Sequence, residues 1–200
     1  MTRRIRHRYQ DPLDAIWIAA ARSTGLTVGR SSEVFAATDG RGELLLGEAS
    51  TLDADDALAQ MIFHEICHWI VEGRGSFHSV DWGLSNAENE EDVSREHAGL
   101  RVQAYLAGLY GLRTFLAPTT KFRSFYDALP QEPIEGEGSD VRLAREGLIR
   151  AETSPWSPHL ERALGATRRI VFATRQALLE FTSPDVQLLY FSEDESLRPR

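Results

Sequence analysis

The sequence has almost no cysteine, which limits the class of protein it can be. Cys67 is its single cysteine among 200 residues, so no disulfide can form within the chain and nothing points to an oxidising compartment. It also contains no apolar run of membrane-spanning length, and Asp11 and Asp14 interrupt any signal-peptide segment after the basic start. We therefore expect a cytoplasmic protein that does not contact membranes.

An excess of positive charge is also missing. The net charge of −8 argues against a general nucleic-acid or membrane-surface binder. Residues 3–8 are a local exception, rich in arginine, and we expect either a solvated arm or a contact for an acidic partner. A hydrophobic share of 42% and a charged share of 26% are typical of a globular protein, and the length suits one domain.

The first half of the chain contains clear helix and strand signals. Asp11 is a suitable N-cap for a helix over about 12–23, and Gly25 is a suitable residue to end it. Two apolar runs, at 34–36 and 44–46, flank a glycine-rich turn and predict a β-hairpin within a region of short strands.

A second predicted helix, over about 53–72, is apolar nearly all round and should be buried on all sides. The pattern further predicts a loop at 73–90, a helix at 91–110, a linker at 117–140, helices near 140–152 and 168–182, a strand at 186–191 and a frayed end at 192–200. We expect a single, mostly helical α+β domain over 1–200. It would have a core at about 9–113, a short β-hairpin or small sheet, and a C-terminal helical part at about 140–191.

The strongest functional signal is His64-Glu65-Ile66-Cys67-His68 on the second helix. Residues four apart lie on one face, so the two imidazoles can bind one metal ion, and Glu65 can act as a general base for a metal-activated water. Burying two histidines and a glutamate on an apolar helix without partners would cost several kcal/mol in total, roughly. Coordination of a metal removes that cost, so we predict a mononuclear site.

The third ligand must come from elsewhere in the chain. Val71 and Arg74 stand where the metzincin pattern requires glycine and histidine, which excludes that class. Glu96 and His97 both flank the apolar stripe of the third helix, so periodicity allows either to face the core. Two further acidic residues there, Glu91 and Asp92, suit the positive end of the helix dipole.

Several other residues have two interpretations each. Cys67 lies between the two histidines on the helix turn and is expected to be a small buried hydrophobe. His78 is a solvated loop residue or a substrate contact, and Asp81 is a turn residue or a group that holds a ligating histidine. The tryptophans Trp69, Trp82 and Trp156 are expected in the core.

The stretch His64-Glu65-Ile66-Cys67-His68-Trp69, with Gly73 and Asp81-Trp82-Gly83 after it and Tyr9-Gln10-Asp11 before it, resembles the elongation factor P hydroxylases. The similarity extends over about residues 9–113. It implies a metalloprotease-like α+β core, a metal held by His64, His68 and Glu96, and iron as the metal. It also implies hydroxylation of a modified lysine on elongation factor P, which would then be the protein partner.

The predicted metal site leaves three functions open. Two histidines and a carboxylate suit a non-haem iron oxygenase and equally a catalytic zinc hydrolase. The resemblance favours an iron-dependent hydroxylase of a protein lysine, and a zinc metallopeptidase with Glu65 as general base is the alternative. A binding module with a structural metal would need four protein ligands.

Overall fold

The fold is α+β and mostly helical, as expected, and a computed structural model describes residues 9–53, 55–85 and 89–181. The helices are α1 (Pro12–Thr24), α2 (Leu58–Glu72), α3 (Glu90–Leu109), α4 (Arg123–Ala128), α5 (Ser139–Ala151) and α6 (His159–Leu178), and the strands are β1 (Thr27–Ser31), β2 (Ala36–Thr38) and β3 (Glu43–Gly47). Short 3-10 turns cover Arg74–His78, Asp81–Gly83 and Leu179–Phe181. The arginine-rich residues 3–8, the predicted strand at 186–191 and the predicted frayed end lie outside the described residues.

Helix α1 begins and ends where its capping residues predict. The Asp11 carboxylate accepts a hydrogen bond from the Leu13 amide at 2.8 Å, and Gly25 ends the helix with φ +102°. Trp17 is fully buried and donates from Nε1 to the hydroxyl of Thr167 on α6 at 3.0 Å. This bond joins the N-terminal helix to the C-terminal one.

A three-stranded sheet of order β1-β3-β2 lies beside α1. The predicted hairpin is confirmed, because β2 pairs antiparallel with β3, although β2 covers Ala36–Thr38 rather than 34–36. Strand β1 then joins the other edge of β3 in parallel. Leu44 and Leu46 of β3 are fully buried and direct one face of the sheet into the core.

Helix α2 forms the centre of the core, but it begins five residues later than predicted. The Asp56 carboxylate accepts a hydrogen bond from the Asp53 amide at 2.7 Å, so a local side-chain bond competes with the helix there. From Leu58 onward the helix packs against α1, α3 and α5. Its burial on nearly every side explains why its sequence has no polar face.

The stretch 117–140, predicted as a linker, contains α4 and packs against the core. Tyr126 and Leu129 are buried against Leu100 and Ala104 of α3. The prolines that suggested a linker lie around this helix, and the carbonyls of Pro130 and Pro133 accept hydrogen bonds from arginines. Long-range packing, which local composition does not report, orders the segment.

Helix α6 begins nine residues before the predicted start at 168. Its first half is buried through Leu160, Ala163 and Leu164. Gly165 and two preceding prolines weaken the helical signal of that half in the sequence.

Among the residues that the structure describes, we find no helix with the length and hydropathy needed to cross a membrane.

Candidate metal centre

His64, His68 and Glu96 bring their ligand atoms to one point between α2 and α3. The Nε2 atoms of the two histidines are 3.1 Å apart. Glu96 Oε2 lies 3.2 Å from His68 Nε2, and Glu96 Oε1 lies 3.7 Å from His64 Nε2. Because all three ligand atoms lie within 4.8 Å of one another, the cluster is a candidate metal-binding triad.

The surroundings of His68 direct one ring nitrogen, Nε2, toward the triad. Its side chain is 6% exposed, and its Nδ1 is buried without a hydrogen-bond partner among the described residues. The ring packs against Gly99 of α3, where an added β-carbon would lie 3.2 Å from Nδ1 and 3.3 Å from Cε1. This close approach leaves Nε2, which faces Glu96, as the nitrogen available to a metal.

His64 is held by a hydrogen bond instead. Its Nδ1 lies 2.8 Å from Gln103 Oε1, and Gln103 Nε2 donates to the Leu116 carbonyl at 2.8 Å. Our sequence reasoning missed Gln103. A signal was present, because Gln103 lies seven residues after Glu96, on the same helix face, as a polar residue within an apolar stripe.

The charges of His64, His68 and Glu96 shift one another's pKa values. Burial alone would lower the pKa of His68, but the Glu96 carboxylate beside it reverses this and raises the pKa to about 9. Burial opposes ionisation of Glu96, yet the charge and hydrogen bond of His68 lower its pKa to about 2. Burial and the charge of His68 lower the pKa of His64. At neutral pH the metal-free site therefore contains a His68–Glu96 ion pair beside a neutral His64.

Glu65, the predicted general base, is held by Trp82. The indole Nε1 donates to Glu65 Oε2 at 2.9 Å, and the buried ring stacks on Trp69 with centroids 5.4 Å apart. Asp81 and Trp82 have φ values of +47° and +58°, in the left-handed region that such residues rarely adopt. Strained backbone conformations persist where surrounding contacts impose them, and here they aim the indole at Glu65.

Asp81 supports this turn through a bond to the sheet rather than to a ligating histidine. Its carboxylate accepts a hydrogen bond from the Thr38 amide of β2 at 2.9 Å. The neighbouring residues Asp39 and Val80 form an isolated antiparallel bridge. Asp81 therefore joins the end of β2 to the turn that carries Trp82.

The triad opens into a cavity of about 420 Å³. Its walls come from α2, α3, the Asp81–Gly83 turn, the start of β2 and the segment 118–122. Four carboxylates line it (Glu65, Asp81, Asp92 and Glu96), together with Lys121 from the segment 118–122. A volume of this size accepts a small molecule or one long side chain.

The remaining candidates lie away from the ligand atoms. His97 stacks on Phe125, with centroids 3.6 Å apart, so of the two neighbours it is Glu96 that joins the cluster. His78 is exposed and Glu91 lies in the exposed first turn of α3. Asp92 accepts from Asn89 Nδ2 at 2.7 Å. Cys67 is fully buried, which raises the pKa of its thiol well above the usual range and keeps it protonated.

The three tryptophans expected in the core, Trp69, Trp82 and Trp156, are all buried.

Within residues 9–53, 55–85 and 89–181, no fourth histidine, cysteine or carboxylate joins the triad. Comparisons with protein-family models, with curated proteins and with solved structures found no match for this chain.

Proposed function

We propose that this chain is an enzyme with one divalent metal ion held by His64, His68 and Glu96. The observation that carries the proposal is the convergence of these three ligand atoms at the wall of a cavity. Catalytic sites keep coordination positions open to other molecules, whereas structural zinc sites are closed by four protein ligands. Three ligands beside a cavity correspond to the catalytic arrangement.

The reaction that we propose first is the hydroxylation of a protein lysine. Two histidines and one carboxylate form the ligand set of non-haem iron oxygenases, and bound ferrous iron would supply the activation of dioxygen. Glu65 would hold or move a proton at Oε1, because Oε2 accepts the hydrogen bond from Trp82. Trp82 would keep that carboxylate oriented toward the cavity.

The substrate that we propose is the modified lysine of elongation factor P, in the cytoplasm. The support is the sequence resemblance over about 9–113 and the acidic lining of the cavity, which suits a cationic side chain. The arginine-rich residues 3–8 are a further proposed contact with this partner. We also propose that α2, α3 and the sheet form a metalloprotease-like core, as the resemblance implies.

A zinc metallopeptidase is the second candidate. It is favoured by the position of Glu65, which follows His64 directly and lines the same cavity. In such an enzyme a carboxylate beside the metal removes a proton from the attacking water. The same ligand set serves both reactions, so the ligands alone do not choose between them.

Mass spectrometry of lysylated elongation factor P tests the first candidate. We expect the protein, purified without air and loaded with ferrous iron, to add one oxygen atom to the modified lysine. The His64→Ala variant is the negative control, since it lacks a ligand. Elemental analysis of the purified protein identifies the bound metal in the same preparation.

Peptide cleavage by the zinc-loaded protein tests the alternative. Robust cleavage that is lost in Glu65→Gln, with no oxygen added to the factor, would overturn the hydroxylase and establish the peptidase. If purified protein binds no metal at all, the proposed site itself is wrong.

A further inference from the structure

We propose that Gln103 is a positioning residue that fixes the proton of His64 on Nδ1 and couples the metal site to the wall segment 117–122. The inference rests on the metal site proposed above. Gln103 is fully buried on α3, and both polar atoms of its amide have partners. It touches neither the cavity nor the ligand point directly, and acts through His64 and Leu116.

The partners of Gln103 determine the orientation of its amide. A carbonyl oxygen only accepts hydrogen bonds, so the group 2.8 Å from the Leu116 carbonyl must be the amide nitrogen. Oε1 therefore faces His64, and an amide oxygen also only accepts. His64 Nδ1, 2.8 Å away, must carry the proton.

This proton position prepares His64 for a metal. A neutral imidazole has one protonated nitrogen and one with a free lone pair, and the hydrogen bond of one nitrogen determines which is which. With the proton on Nδ1, the lone pair lies on Nε2, which is the atom that faces His68 and Glu96. In water a neutral histidine side chain prefers the tautomer with the proton on Nε2. Gln103 therefore selects the tautomer that can bind a metal through Nε2.

The same amide holds the residue that leads into a wall of the cavity. Leu116 is buried and immediately precedes the segment 117–122, whose residues from Pro118 to Phe122 line the cavity. Further along, the Thr119 hydroxyl bonds to the Asp56 carboxylate. The segment is thus anchored at one point by Gln103, and any change that stabilises the His64–Gln103–Leu116 chain also stabilises the wall.

Linkage makes the coupling reciprocal. If metal binding fixes the ring of His64, it strengthens the anchor at Leu116 and protects the amides of 117–122 from hydrogen exchange. Loss of the anchor must then weaken metal binding by the same free energy. A purely structural glutamine would lower the stability of the fold and leave this coupling at zero.

Nitrogen-15 NMR of the metal-free wild-type protein gives the first test, and it needs no variant. We expect the ring signals of His64 to show a protonated Nδ1 and a bare Nε2 at pH 8. A protonated Nε2, or an averaged mixture of tautomers, would overturn the proposal. The result does not depend on the reaction that the enzyme catalyses.

Zinc binding to Gln103→Leu gives the second test, with Zn²⁺ alone as the probe. Loss of a residue that orients a metal ligand typically lowers affinity ~10–100-fold, and we expect a loss in that range. Zinc should slow exchange of the amides of 117–122 in the wild type and fail to do so in the variant. Unchanged affinity and unchanged protection would each contradict the coupling.

Two further variants separate positioning from stability. Val102→Ala removes two methyl groups from a fully buried side chain one residue away, so it should lower the melting temperature while leaving zinc affinity and the His64 signals unchanged. Gln103→Glu keeps an acceptor for His64 but removes the donor to Leu116. It should retain the proton on His64 Nδ1 and lose the protection of the amides of 117–122 from hydrogen exchange. This variant tests the coupling even if Gln103→Leu does not fold. If the wild type binds no zinc while His64 has the expected tautomer, the metal site fails and the positioning of His64 stands.

Discussion

Gly99 lies against the ring of His68, and a β-carbon at this position would be 3.2 Å from Nδ1. This contact is tighter than ordinary van der Waals contact, so a side chain here would displace the ring or the helix by a few tenths of an ångström. The absence of a β-carbon at Gly99 therefore allows α3 to approach α2 closely enough for Glu96 to reach the histidines.

Gly99→Ala should weaken metal binding. Overpacking a tight contact typically costs about 1–3 kcal/mol, and displacement of the His68 ring should lower zinc affinity roughly tenfold. Gly108→Ala is the matched control, since it lies on the same helix with open space around its added β-carbon. It should raise stability by about 0.5–1 kcal/mol and leave affinity unchanged. Calorimetric titration with Zn²⁺ measures both, and equal affinities of the two variants would contradict the role of Gly99.

Glu96 rather than His97 should be the third ligand. Glu96→Gln, His64→Ala and His68→Ala should each abolish stoichiometric zinc binding, because each removes one of three ligands. His97→Gln should retain it and lose the stack on Phe125 and the edge contact with Phe122, each worth about 0.5–1.5 kcal/mol. Elemental analysis after dialysis gives the metal content of each variant. A full equivalent of zinc in Glu96→Gln would exclude the triad.

The parts of the molecule that were predictable are those determined by neighbouring residues. The caps of α1 and the spacing of the two histidines on α2 depend on residues within a few positions of one another. Glu96 and His97 are adjacent and both flank the apolar stripe of α3. Periodicity does not distinguish them, and the resemblance names Glu96 only by analogy, whereas the packing of α3 on α2, seen at Gly99, places Glu96 beside the histidines.

Contacts between distant segments were not predictable in the same way. The buried state of Tyr126 in α4 depends on packing against α3, and prolines nearby made the segment look like a linker. The bond from Trp82 to Glu65 requires left-handed backbone at Asp81 and Trp82, which local propensity opposes. Tertiary contacts override propensity at both places.

Trp82→Phe should impair turnover without removing the metal. The phenyl ring can still stack on Trp69, but Glu65 loses its indole donor and with it a fixed orientation. We expect turnover to fall roughly tenfold, with zinc affinity within about twofold of the wild type. Trp156→Phe is the control, since Trp156 Nε1 has no hydrogen-bond partner among the described residues. Similar turnover in both variants would mean that the bond to Glu65 has no catalytic role.

Asp81→Ala should destabilise the protein more than Asp81→Asn. Asparagine tolerates a φ of +47° and retains an oxygen that can accept from the Thr38 amide, whereas alanine provides neither property. An unpaired buried amide costs about 1–3 kcal/mol, and we expect the alanine variant to lose an amount in this range. Urea unfolding at equilibrium measures the difference between the two variants. Equal midpoints would show that the bond to Thr38 contributes nothing.

Stability and metal affinity should depend on pH in opposite directions. The pKa of His68 is raised from 6.5 to about 9 in the folded protein, so its ion pair with Glu96 stabilises the metal-free protein fully below pH 6.5. That contribution is lost as the pH rises through 9. A metal must displace the same proton from His68, so zinc affinity should rise roughly tenfold per pH unit between pH 7 and 9. Glu96, with a pKa of about 2, contributes no proton in this range.

The His68→Gln variant isolates this effect from other titrating groups. The difference in unfolding free energy between the EDTA-treated wild type and His68→Gln should shrink steadily from pH 6.5 to pH 9, because only the wild type contains the ion pair. Calorimetry of zinc binding in buffers of different ionisation enthalpy should report about one proton released at pH 7.5, since His64 is already neutral there and His68 is not. Release of no proton, together with a pH-independent difference in stability, would mean that His68 is neutral in the metal-free protein and that Glu96 does not pair with it.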